Sequence, residues 1–115
     1  MSPKQDASEG VSTGQERRAA IRHPCELEGA CKTITDMNGW PATVRNISST
    51  GVALALSRRF EPRSLLTVDV ETATEPVSMI VRVVHAKQDP NGGWLLGCAF
   101  TRNLSEADLA SILKS

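Results

Sequence analysis

Residues 66–100 carry the pattern that decides the fold: LTVDVETATEPVSMIVRVVHAKQDPNGGWLLGCAF. Within this stretch apolar residues alternate with polar ones at a period of two, which is typical of β-strands with one buried face. The alternation runs through 66–71 and returns at 77–87 and 94–100. Between the last two runs, 89–93 reads DPNGG, which is typical of a hairpin connection. The stretch therefore predicts three strands, the last two joined as a hairpin.

Three more strands are predicted upstream, at 26–35, 41–47 and 52–57. β-Branched residues are frequent in the second, and the third alternates strictly between larger apolar residues and small ones. Its predicted inward-facing residues are Val52, Leu54 and Leu56. Asp, Asn, Ser and Gly residues separate the strands, which favours tight turns between them.

After residue 100 the apolar period changes to that of a helix. Ser105 is the predicted N-cap, because Asp108 follows three residues later and an apolar pair, Leu104 and Leu109, flanks the start. The apolar stripe of the helix consists of Leu109, Ile112 and Leu113. Six short strands and one helix predict an all-β fold: a closed or nearly closed six-stranded antiparallel β-barrel with a C-terminal α-helix that plugs or flanks one end.

The chain has 115 residues, of which 40% are hydrophobic and 23% charged, as expected for one globular domain. Residues 1–16 are almost entirely polar, so we expect a flexible N-terminal tail followed by a single domain at 17–115. The 13 basic and 13 acidic residues cancel and only 3% of residues are aromatic, which argues against binding to nucleic acid polymers. No apolar run is long enough to cross a bilayer, so no membrane insertion is expected.

The titratable residues do not favour catalysis or metal binding. His23 and His85 are the two histidines, and neither lies in a nucleophile motif, so we expect no enzymatic activity and no catalytic residues. Cys25, Cys31 and Cys98 are odd in number and form no C-x-x-C pair, which favours small core residues over a metal site. Since the N-terminal sequence lacks an apolar leader, the expected location is the reducing cytoplasm.

Two polar clusters could bind a ligand. Residues 17–22 read RRAAIR, and guanidinium groups bind phosphate bidentately and match the O6 and N7 acceptors of guanine. Residues 46–51 read NISSTG, where amide and hydroxyl groups could contact a ligand edge and Gly51 permits a close approach or a positive φ. Taken separately, each cluster has an ordinary alternative: a solvated basic stretch at a domain boundary, and a hairpin turn.

Taken together, the clusters resemble the motifs of a known family. Three motifs occur in order along the chain: Arg18-x-x-x-Arg22, Asn46-x-Ser48-x-x-Gly51 and Gly97-x-x-Phe100. With the short-strand barrel pattern and the terminal helix, they resemble the PilZ domain family over about residues 17–113. That family is a six-stranded split barrel that binds the bacterial second messenger cyclic di-GMP through an RxxxR motif and a [D/N]xSxxG motif.

The resemblance implies a site for cyclic di-GMP and no other cofactor. Arg18 and Arg22 would wrap the ligand and contact its phosphates and guanine. The guanine would be held from the barrel surface by Asn46, Ser48 and Gly51.

Arg17 is an additional guanidinium beside this motif and a further candidate for ligand binding.

The implied function is that of a cyclic di-GMP receptor or adaptor domain. It would transmit the messenger level to an unidentified protein partner by ligand-induced ordering of its N-terminal arginine segment. One alternative is a PilZ-like interaction barrel that binds no nucleotide physiologically. Another, a small nucleic-acid-binding barrel, is disfavoured by the zero net charge.

Overall fold

The computed structural model describes residues 20–36, 38–73 and 75–114. The elements, in chain order, are β1 (His23–Thr33), β2 (Trp40–Ile47), β3 (Gly51–Leu56), β4 (Leu65–Glu71), β5 (Pro76–Gln88), β6 (Trp94–Phe100) and α1 (Glu106–Leu113). All six predicted strands and the predicted helix are therefore present. The predicted tail at 1–16 lies outside the described residues.

The strands close into a barrel in the order β1-β2-β3-β6-β5-β4, with every neighbouring pair antiparallel. Four of the six contacts join strands that follow each other in the chain. The other two, β3 with β6 and β1 with β4, join distant segments and close the barrel. The prediction of a six-stranded antiparallel barrel with a C-terminal helix is confirmed.

The barrel interior is filled by the inward-facing residues of each strand. In β4, Leu66, Val68 and Val70 are almost completely buried, as their alternation predicts. Burying an aliphatic side chain of this size stabilises a fold by about 1.5 to 3 kcal/mol. The largest fully buried side chains come from every strand and from the helix: Cys31, Val44, Ile47, Val52, Leu54, Leu66, Val68, Val70, Val81, Val83, Leu96 and Ile112.

The first strand spans His23–Thr33 rather than the predicted 26–35. Its ladder with β2 already begins at His23, but a bulge before Leu27 interrupts the alternation that marks a strand in the sequence. At the other end, the Asp36 backbone N–H donates to Oγ1 of Thr33 at 2.9 Å in a turn that ends the strand. The bounds of the other five strands agree with the prediction to within one residue.

The helix covers one end of the barrel. Oγ of Ser105 accepts a hydrogen bond from the Asp108 N–H at 3.0 Å, which confirms the predicted N-cap. Ile112 is fully buried, and the Leu104 N–H donates to the Ser49 carbonyl at 2.9 Å, so the helix start is tied to the β2–β3 turn. In the described part of the chain, no helix is long and apolar enough to cross a membrane.

Aromatic residues lie at the opposite end of the barrel. Phe60, in the β3–β4 connection, is buried and meets the Trp40 ring edge-on, with 5.5 Å between the ring centroids. The Arg58 guanidinium lies over both rings, 4.4 Å from the Trp40 centroid and 4.6 Å from that of Phe60. The Arg59 guanidinium likewise lies over the Trp94 ring, 5.5 Å from its centroid. These cation–π contacts cover the end of the barrel that α1 does not reach.

Candidate functional site

The β2–β3 turn is held closed by the Ser48 hydroxyl. Ser48 is fully buried, and its Oγ accepts hydrogen bonds from the backbone N–H groups of Thr50 at 3.1 Å and Gly51 at 3.2 Å. Its own N–H donates to the Gly51 carbonyl at 2.9 Å. The hydroxyl therefore satisfies backbone donors that the turn would otherwise leave unpaired. This geometry supports a role for Ser48 in shaping the turn, and direct contact with a ligand stays a prediction.

Gly51 lies where β3 comes closest to β6. A Cβ atom at this position would lie 2.2 Å from the Cys98 carbonyl oxygen and 3.3 Å from the Ala99 Cα. The φ angle of Gly51 is not positive, so the predicted left-handed conformation is absent, and the close approach seen here is that of the β6 backbone rather than of a ligand. The pairing of β3 with β6 therefore requires a glycine at position 51, the last residue of the Asn46-x-Ser48-x-x-Gly51 motif.

The two predicted motifs meet on the barrel surface. Nη1 of Arg22 donates to Oδ1 of Asn46 at 2.8 Å. This hydrogen bond joins two residues that are separated in the chain by all of β1 and most of β2. Arg22 is exposed and directly precedes β1, while Asn46 is half-buried near the end of β2. The guanidinium keeps further N–H donors, and the Asn46 amide adds an NH₂ group. This part of the surface presents donors suited to phosphate oxygens and to the O6 and N7 atoms of guanine.

Arg17 and Arg18 lie outside the described residues, so the structure locates one of the three predicted arginines, Arg22. Their predicted part in ligand binding stays a prediction.

A β-bulge brings Asn46 to the outer surface. Across the β2–β3 ladder, Val44 pairs with Leu54 but Asn46 pairs with Ala53, so Arg45 is an extra residue on β2. With strict alternation from the buried Val44, Asn46 would point into the core. The bulge reverses this, so Ile47 points inward and Asn46 outward.

Asn46 begins a row of residues that crosses four adjacent strands. It pairs with Ala53 on β3, Ala53 pairs with Gly97 on β6, and Gly97 pairs with His85 on β5. We call Asn46, Ala53, Gly97 and His85 the cross-strand row. Ala53 and Gly97 each lie between two buried residues of their strands and therefore face outward. The row forms a shallow surface with polar side chains at its two ends.

The cysteines belong to the packing. Cys31 and Cys98 are buried, as predicted. Burial, together with the neighbouring Cys31, raises the pKa of the Cys98 thiol to about 12, and burial raises the pKa of Cys31 to about 11. Arg22 opposes the rise in the pKa of Cys98, and Arg58 opposes the rise in the pKa of Cys31, but neither arginine reverses the shift. Both thiols therefore stay protonated near neutral pH, which is typical of unreactive core cysteines.

A family model described as "PilZ domain" matches residues 15–115 of the chain. A comparison with curated proteins finds no match.

Solved structures share the fold. The inhibitor of motility MotI/DgrA of Bacillus subtilis matches with a TM-score of 0.67 and 16% identity, covering 85% of this chain and 48% of that one. The MrkH–c-di-GMP complex of K. pneumoniae matches with a TM-score of 0.59 and 15% identity, covering 86% of this chain and 49% of that one. The chain thus spans about half the length of these two proteins. At this level of identity the likeness concerns the fold.

Proposed function

The chain belongs to the PilZ domain family, and we propose that it is a receptor domain for cyclic di-GMP. The proposal rests above all on the hydrogen bond of 2.8 Å between Arg22 and Asn46, which places residues of both family motifs side by side on the barrel surface. The similarity in fold to MrkH, which was solved with c-di-GMP, also supports this ligand class.

The chemistry of the ligand suits this surface. Cyclic di-GMP carries two phosphate charges and two guanine bases, and all of these present acceptor atoms to N–H donors. The net charge of the protein is zero, so attraction would come from the local arginines rather than from a general positive field. In the proposed complex Arg18 and Arg22 contact phosphate and guanine, and Arg17 is a further candidate.

The residues of the second motif divide into two roles in this proposal. Asn46 contacts the ligand and orients Arg22 through its Oδ1 atom. Ser48 and Gly51 act as positioning residues, because the Ser48 hydroxyl bonds within the turn and Gly51 lies against the β6 backbone.

Replacing Arg22 with alanine is expected to weaken cyclic di-GMP binding by roughly tenfold to a hundredfold, since a charge-assisted hydrogen bond is worth about 1.5 to 3 kcal/mol. The free energy of unfolding should change by no more than about 0.5 kcal/mol, as is usual for exposed residues. Titration calorimetry gives the affinity, and urea denaturation gives the stability. The two measurements separate a binding role from a folding role.

Arg59→Ala is the matched control, because it removes the same charge at the barrel end away from Asn46. Its affinity for cyclic di-GMP should equal that of the parent protein. If Arg18→Ala and Arg22→Ala both bind as well as the parent, the motif assignment is wrong. If the parent itself does not bind, the interaction barrel without nucleotide becomes the better description.

We further propose that ligand binding orders the arginine segment and that a protein partner recognises the ordered form. Ordering each residue costs about 1 to 2 kcal/mol of backbone entropy, which the contacts of Arg18 and Arg22 must exceed. Arg22 already bonds to Asn46, so the barrel provides a fixed point against which the preceding residues can order. We place the receptor in the cytoplasm, where its three free thiols stay reduced, and assign it no catalytic activity.

Limited trypsin digestion tests the ordering step. Saturating cyclic di-GMP should slow cleavage after Arg17, Arg18 and Arg22, because protease access requires a locally extended chain. Cleavage after Lys4 should continue at an unchanged rate and serves as the internal control. Mass spectrometry of the fragments resolves each cut. Equal rates at Arg18 and Arg22 with and without bound nucleotide would exclude the ordering mechanism, even if binding were confirmed.

A further inference from the structure

Two β-bulges turn polar side chains onto the same outer surface. The first, at Arg45, brings Asn46 outward from β2. The second lies on β5, where Val83 pairs with Cys98 but His85 pairs with Gly97, so Val84 is the extra residue. With strict alternation from the buried Val83, His85 would face the interior, whereas in the structure it is exposed. Bulges that re-aim side chains are concentrated next to functional sites.

The His85 imidazole lies directly over the Gly97 backbone. A Cβ atom at Gly97 would lie 2.3 Å from both Cε1 and Nε2 of the ring and 3.0 Å from Nδ1. The ring thus occupies the place of the missing side chain, and any larger residue at Gly97 would displace it. The His85 ring therefore lies at the end of the cross-strand row opposite Asn46.

The surface between Asn46 and the His85 ring is flat enough for an aromatic base to lie on it. The outward-facing residue left open there is Ala53, whose side chain is a methyl group, because the His85 ring already covers Gly97. Two strand spacings of roughly 4.8 Å separate the backbones of Asn46 and Gly97, so a base over Ala53 would lie between the Asn46 amide and the His85 ring. Arg82, the neighbouring outward-facing residue of β5, instead donates from Nη1 to the Arg63 carbonyl at 3.2 Å. His85 is thus the polar side chain of β5 that lies against Gly97.

We propose that His85 contacts a guanine base of bound cyclic di-GMP, as the β5 counterpart of Arg22 and Asn46. An imidazole N–H can donate to O6 or N7 of guanine, and the ring can also pack against the edge of a base that lies on Ala53. This inference rests on the proposed function, because it names a further residue of the same site. The parent protein's affinity tests that function separately.

Replacing His85 with alanine is expected to weaken cyclic di-GMP binding by about threefold to tenfold, the range for one neutral hydrogen bond. His85→Gln keeps an N–H donor and should recover part of this loss. Val84→Ala is the matched control, since Val84 is the exposed neighbour on the same bulge and lies outside the row. Titration calorimetry on the full chain compares the four proteins, and urea denaturation checks that all of them are folded.

A direct contact also predicts an NMR signal. The chain has two histidines, so the imidazole protons of His85 can be assigned by their loss in His85→Ala. At saturating cyclic di-GMP, a nuclear Overhauser effect is expected between these protons and a guanine base proton. If the parent binds but His85→Ala binds equally well, or the cross-peak is absent, the inference is overturned while the receptor function stands. If the parent does not bind, the receptor function itself fails.

Discussion

Replacing Ile112 with alanine is expected to lower the free energy of unfolding by about 2 to 5 kcal/mol, the usual cost of such a cavity in a core. Ile112 is the fully buried residue of α1, and Leu109 and Leu113 pack beside it against the barrel. A helix of eight residues is too short to be stable alone, so its docking depends on these contacts. Urea denaturation, followed by far-ultraviolet circular dichroism, measures the change.

The neighbouring Ser111 provides the control. It is exposed on the same helix, so Ser111→Ala should change the stability by no more than about 0.5 kcal/mol. A chain that ends at Arg102 should lose at least as much stability as Ile112→Ala. If that shortened chain unfolds at the same urea concentration as the parent, the helix does not contribute to the barrel and its buried position is contradicted.

Replacing Gly51 with alanine is expected to lower the free energy of unfolding by about 3 kcal/mol, at the upper end of the usual cost of overpacking. The added methyl carbon would lie 2.2 Å from the Cys98 carbonyl oxygen, which is a backbone atom with no rotamer to change. The strands β3 and β6 must therefore move apart at one of the two contacts that close the barrel. Denaturation gives the stability, and amide hydrogen exchange shows whether protection falls first in β3 and β6.

Gly39→Ala is the matched control for this substitution. A Cβ atom at Gly39 has its nearest neighbour, the Ala30 Cβ, at 3.4 Å, and the φ angle of Gly39 is not positive. Its stability should be unchanged or slightly increased, because alanine reduces the entropy of the unfolded chain. A fully stable Gly51→Ala protein that binds cyclic di-GMP poorly would show that Gly51 contacts the ligand rather than supporting strand pairing.

Much of the fold could be predicted from the sequence because its signals are local. A period of two, interrupted by turn residues, identified six strands, and Ser105 with Asp108 identified the start of the helix. The early start of β1 was missed because a bulge before Leu27 breaks the period. The buried position of Phe60 was also missed, since it lies in a connection and packs through contacts distant in the sequence.

The residues of the candidate site could be predicted from sequence motifs, but the positions of their side chains could not. The family resemblance named Arg22 and Asn46, and the structure brings them within hydrogen-bonding distance. The inward hydroxyl of Ser48 and the bulge that turns the His85 ring outward could not be predicted from the pattern. Strict alternation places His85 on the wrong face, and a bulge is set by pairing with another strand rather than by local composition.

The positions of the two tryptophans make them separate optical reporters of folding. Trp40 and Trp94 begin β2 and β6, on the inward-facing side of the barrel and at the end away from the β2–β3 turn. Their rings lie beside Arg58 and Arg59, at 4.4 and 5.5 Å. Intrinsic tryptophan fluorescence should therefore change when the barrel unfolds and the two guanidinium groups separate from the rings. It should stay nearly constant when a nucleotide binds on the outer surface. In one sample, tryptophan emission can then report unfolding, while an extrinsic label near Asn46 reports nucleotide binding.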